Sequence, residues 1–63
     1  MPIITVEGPK IGTEQKRQMV QALTDAAVGV YGMDKEHIIV LIRESIPENV
    51  GVGGQLIADR RGG

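Results

Sequence analysis

The chain opens Met-Pro-Ile-Ile, and its second residue is the one whose chemistry stands out. The small side chain of Pro2 permits removal of the initiator methionine, and removal would turn an amide nitrogen into a free secondary amine. An apolar pocket disfavours the charged form of such an amine, so that a neutral, proton-accepting nitrogen becomes available near physiological pH. Ile3, Ile4 and Val50 are candidate walls for that pocket. The chemistry open to the group is proton transfer next to a carbonyl, or attack on a carbonyl to form an iminium. Many chains begin Met-Pro without catalytic consequence, so the dipeptide alone decides nothing.

Other reactive types are sparse. His37 is the single histidine and has no acid or nucleophile at motif spacing, which makes it a connector residue. A closed metal site takes about four ligands, and His37 is the one non-carboxylate candidate, so no metal is expected. The glycines of the GVGG run at 51–54 suit a tight turn, and no P-loop lysine follows them. Met19 and Met33 read as packing residues, and Glu36, Glu48 and Asp59 as solvated charges.

The elements that must position Pro2 follow from periodicity. Residues 2–7, PIITVE, are rich in β-branched types and form a first strand, with Pro2 tolerated at its start. Gly8 to Gly12 carry turn chemistry, and Thr13 is placed to cap a helix. Met19, Val20, Leu23, Ala26, Ala27, Val30 and Tyr31 then recur at three- and four-residue spacing, so the helix is amphipathic and ends near Gly32. After the connector MDKEH, residues 38–42 read IIVLI, an apolar run of strand length expected to be buried on both faces. The remainder suggests a loop and a short hairpin. The chain is thus expected to be α+β, one β-α-β unit with parallel strands and a C-terminal hairpin, spanning 1–63 as a single domain.

One helix covers only one face of that small sheet. Ile38, Val40 and Ile42 alternate with Ile39 and Leu41, so the second apolar face requires another subunit. Size points the same way: a domain of 63 residues buries only about 60% of its unfolded surface. No cysteine is present to supply disulfides. A homo-oligomer is therefore expected. Seven basic and eight acidic residues leave no electrostatic footprint for nucleic acid or an anionic membrane. With no apolar run of about 20 residues and no signal-like start, the cytoplasm is the expected location.

Taken together, MPII at the start, Glu7-Gly8 at the end of the first strand, Glu14-Gln15-Lys16 opening the helix, Glu44 closing the second strand and GVGG at 51–54 resemble the 4-oxalocrotonate tautomerase family. The order and spacing of these pieces in so short a chain carry the resemblance. It implies a β-α-β subunit, assembly usually as a hexamer of paired subunits, and cofactor-free proton transfer by an amino-terminal proline, which Pro2 matches. The substrate class it implies is a small unsaturated keto acid such as 2-hydroxymuconate, converted between enol and keto forms.

Three departures from the family pattern bear on substrate binding. Members commonly carry an arginine in the turn after the first strand, where this chain offers Lys10, a charge without the planar bidentate fork. Ile39 stands where a second arginine is common. Arg43 shares its strand face but lies four residues on, about 13 Å along the strand, too far for a simple replacement. Val50 replaces an aromatic residue and keeps only its apolarity. Lys10, Arg43 and Val50 are thus the substrate-binding candidates beside Pro2, and Arg43, Arg60 or Arg61 of a neighbouring subunit are alternative sources of positive charge. Against the tautomerase reading stand a family member with lost or altered activity serving as a binding scaffold, and a lyase or hydratase using the same Pro2 amine. The terminal Arg-Arg-Gly-Gly invites comparison with ubiquitin-like tails, but those folds begin with a hairpin, whereas this chain runs from its first strand straight into a helix.

Overall fold

The computed structural model describes residues 2–60; Met1, and with it the state of the amino terminus, and the Arg61, Gly62 and Gly63 tail lie outside the described residues. The β-branched start forms β1 (Ile3–Gly8) and the amphipathic stretch forms α1 (Thr13–Tyr31). A single 3₁₀ turn at Lys35–His37 leads into β2 (Ile39–Glu44). Beyond a second 3₁₀ turn, Pro47–Asn49, come β3 (Gly51–Val52), β4 (Gln55–Leu56) and a short α2 (Ile57–Arg60).

β1 and β2 pair in parallel, with Ile3 opposite Ile39 and Gly8 opposite Glu44. Both strands are displaced from the expected ranges of 2–7 and 38–42. The first starts one residue later because Pro2 has no N–H to donate, and its ladder contact is made by its carbonyl, which accepts from the Ile39 amide at 3.1 Å. The second runs on through Arg43 and Glu44, whose partners Glu7 and Gly8 keep the ladder going past the apolar run.

Thr13 does not cap α1. It is the first helical residue, and Gly12 is the cap, its amide donating at 2.8 Å to Oε1 of Gln15. This is the return half of a capping box, made without the forward half because glycine has no side chain. At the other end Gly32 takes the left-handed conformation (φ 66°) and donates to the Val28 carbonyl at 2.9 Å, closing the helix where the periodicity stops.

Exposure alternates along β1 and, in β2, from Val40 to Arg43, with Ile39 half-buried as well. Ile4, Val6, Val40 and Ile42 are half-buried, and Ala27 of α1, 7% exposed, is the one buried apolar residue among those described. The opposite sheet face carries Ile3 at 54% and Leu41 at 43% exposure. In a single chain the helix covers one face of the run from 38 to 42 and leaves Leu41 of the other face exposed.

The hairpin turns on Gly53 and Gly54, with φ of 62° and 82°. Two successive positive-φ residues are what a two-residue hairpin loop demands, and glycine meets that demand without steric cost. α2, where only loop and hairpin were expected, is four residues long, too short for periodicity to reveal it. The hairpin makes its main contacts with α2 and the Pro47–Asn49 turn, the tail end of the same polypeptide. The chain is accordingly extended: its radius of gyration is 15.3 Å, against about 11 Å for a compact domain of this length. Its accessible surface is 4947 Å², where about 4,000 Å² would suit a compact monomer of its mass. Among the described residues no helix is long and apolar enough to cross a membrane.

Candidate active site

Parallel pairing puts the carboxyl ends of β1 and β2 side by side, and the loops that leave them enclose a cleft of about 830 Å³. Glu7, Gly8, Pro9 and Lys10 form one wall, while Ser45, Ile46, Pro47, Val50 and Ile57 form the other. Two of the candidate substrate-binding residues, Lys10 and Val50, thus meet here, 40 residues apart in sequence. The cleft is apolar apart from Glu7, Lys10 and Ser45. Its far wall is closed by the Ile57 amide, which donates to the Val50 carbonyl at 2.8 Å and folds α2 back over the Pro47–Asn49 turn.

Pro2 lies at the other end of the sheet. Gly8 of the cleft lies six residues farther along β1, and at about 3.3 Å per residue that is roughly 20 Å. Val50 therefore does not wall Pro2 within one chain. Ile3 and Ile4 flank it in sequence, and Ile39 is tied to it by the backbone hydrogen bond already described. Arg43 does not line the cleft; it stands opposite Glu7 on the open sheet face, the face of Ile3, Ile39 and Leu41. Arg60 ends α2, and Arg61 lies outside the described residues.

The Lys10 turn is held in place by Glu44. Its Oε2 accepts from the Ile11 amide at 3.1 Å and pairs with Nζ of Lys16 at 3.1 Å. The Ile11 hydrogen bond, then that of Lys16, holds the Glu44 carboxyl below its ordinary value; partial desolvation opposes this, and the Lys10 charge adds a weak pull in the same direction. The Ser45 amide donates to the Gly8 carbonyl at 2.9 Å, tying the two exits together. The Glu44–Lys16 pair is not a feature that motif reading isolates. Its signal is topological: in a parallel β-α-β unit the end of the second strand sits beside the start of the helix, where a carboxylate and a first-turn lysine face each other.

Comparison with known proteins supplies the family. The sequence model for the tautomerase enzymes matches residues 2–60. The 2-hydroxymuconate tautomerase of Bacillus subtilis is 35% identical over 60 residues, covering 94% of this chain and 97% of its own. The chain belongs to the 4-oxalocrotonate tautomerase family. Solved tautomerase folds agree: DmpI from Archaeoglobus fulgidus is 52% identical, with a TM-score of 0.84 over 92% of this chain and all of its own. TomN, a 4-oxalocrotonate tautomerase homologue of the tomaymycin biosynthetic pathway, reaches a TM-score of 0.90 at 32% identity, over 98% of this chain and 97% of its own. Membership in the tautomerase family supports isomerase activity.

Proposed function

We propose that this protein is a cofactor-independent tautomerase that moves a proton between enol and keto forms of a small unsaturated keto acid such as 2-hydroxymuconate, with Pro2, freed by loss of Met1, as the general base. The observation that carries this reading is the position of Pro2 in a tautomerase-family chain. It heads β1 with its carbonyl engaged by Ile39, which leaves the nitrogen side of the ring for chemistry. Lys10 holds the substrate carboxylate in the apolar cleft, and Val50 supplies part of its wall.

Because Pro2 and that cleft sit about 20 Å apart along β1, the reaction requires the cleft of one subunit to adjoin Pro2 of another. The extended hairpin and the apolar open sheet face support a homo-oligomer, and family resemblance supports a hexamer. Arg43 stands on that open face, so any contact it makes with substrate is also made across a subunit boundary.

The test is ketonisation of 2-hydroxymuconate and of the enol of phenylpyruvate by protein whose mass confirms loss of Met1. Processed protein should accelerate at least one of them, and Pro2→Ala should lower kcat by about 10²-fold or more, the typical worth of a positioned base. Equal activity of the two proteins would overturn the assignment of Pro2.

A further inference from the structure

Two lysines share the neighbourhood of one carboxylate, and only one touches it. Both contacts of Glu44, the Ile11 amide and Lys16 Nζ, fall on Oε2; Oε1 has no hydrogen-bond partner among the described residues. Lys10 immediately precedes Ile11 and lines the cleft, and it forms no ion pair among the described residues. Its charge is nonetheless felt at Glu44, where it adds to the depression of that carboxyl. Neither Lys16 nor Glu44 lines the cleft.

We infer that Lys16 is a positioning residue for Lys10: by occupying Glu44 it keeps the Lys10 ammonium available for an anionic ligand in the cleft. The inference rests on the reading of Lys10 as the group that holds the substrate carboxylate. Lys16 wins the carboxylate because the first turn of α1 fixes its stem, whereas Lys10 hangs from an irregular turn and would lose more side-chain freedom on pairing. Partial burial of the pair, with 34% and 28% of the two side chains exposed, shields it from the screening that erodes solvated ion pairs. If the Lys16 ammonium were absent, Glu44 would remain charged and anchored by the Ile11 amide, with Lys10 as the other cation whose charge reaches it and Oε1 free to receive it. A Lys10 ammonium drawn onto Glu44 has its charge neutralised and a donor used, and an incoming carboxylate must displace it.

Ketonisation of phenylenolpyruvate by processed protein tests this. Lys16→Met should raise KM about three- to tenfold and leave kcat within about twofold, a coupling of ordinary size between residues sharing a partner. Lys16→Arg should restore KM, since a guanidinium also pairs with Glu44. In a Lys10→Ala background Lys16→Met should change KM no further, because the residue it acts through is gone. An unchanged KM in Lys16→Met, or the same rise in both backgrounds, overturns the inference; the second result would mean that Lys16 acts through its own field. If Lys10→Ala alone leaves KM unchanged, the role of Lys10 in the proposed function fails and this inference falls with it, an outcome distinct from the other two. Should Lys16→Met not fold, a crystal structure of Lys16→Gln decides: Lys10 on Glu44 supports the inference, and Lys10 still in the cleft overturns it.

Discussion

The amide of Ile39 donates to the carbonyl of Pro2 at 3.1 Å, so residue 2 is tied into the ladder through its carbonyl. That bond fixes the ring at the start of the ladder. It also sets Ile39, where the family commonly has an arginine, against the proposed base. Positive charge for a substrate must then come from elsewhere, and within the chain the cleft cation is Lys10, at the other end of β1.

Under the proposed function that separation makes assembly a requirement for activity, and assembly can be tested on the open sheet face. Leu41 and Ile3 stand there at 43% and 54% exposure in the single chain. Leu41→Asp should disperse or unfold the oligomer, since an unpaired charge buried at an interface costs roughly 2–5 kcal/mol. Sedimentation should give a multiple of the 6.8 kDa subunit for the parent protein. A stable folded monomer at micromolar concentration, or an unchanged oligomer from Leu41→Asp, would contradict this.

Lys10→Ala should raise KM for a carboxylate substrate about tenfold with kcat little changed, if the ammonium grips the charge equally in ground and transition states. Arg43→Ala is the informative companion. Arg43 lies outside the cleft of its own chain, so a KM effect from it reports a contact made across a subunit boundary.

What the sequence made legible, and what it did not, divides along physical lines. β-Branched composition, the apolar run at 38–42 and the period-3.6 pattern are local, and they located both strands and α1 to within two residues. The Gly53-Gly54 turn was legible because positive φ selects glycine. The cap was misread because Thr13 and Gly12 both suit the role, and only the Gln15 side chain decides between them. The cleft was invisible because its two walls, at residues 7–10 and 45–57, are joined only by parallel pairing. Candidate residues Lys10 and Val50 were found through family resemblance, and their meeting was not. Nor was the distance of Pro2 from both, since residue spacing along a strand says nothing about which subunit completes a site.

Glu44 gives the fold a pH dependence with a definite sign. Its carboxyl is held below the ordinary value of 4.5, chiefly by the Ile11 amide and then by Lys16. A carboxyl depressed on folding contributes stability above its unfolded pKa and loses it as pH falls through the lower folded value. Thermal melts of the parent protein and Glu44→Gln should therefore differ near neutral pH and converge as pH falls through the depressed pKa of folded Glu44, once that carboxyl is protonated. A difference that persists unchanged into that range would assign the effect of the substitution to shape rather than charge.

The state of the amino terminus decides whether Pro2 can act at all. With Met1 attached, the proline nitrogen is an amide whose lone pair is delocalised into a carbonyl, and it has no useful basicity at neutral pH. Protein that retains Met1 should fold and assemble, because the ladder contact of residue 2 is made by its carbonyl and not by its nitrogen. Its enol-keto exchange should fall to the uncatalysed rate. In the processed protein kcat/KM should rise with pH as the amine loses its proton, and level off above its pKa. Pro2→Ala, which leaves a primary amine with more freedom and a different basicity, should keep a small residual activity and a displaced pH profile. Mass spectrometry on the assayed sample makes the comparison strict: a methionine-retaining protein as fast as the processed one, with the same profile, would mean that the base is some group other than the Pro2 amine.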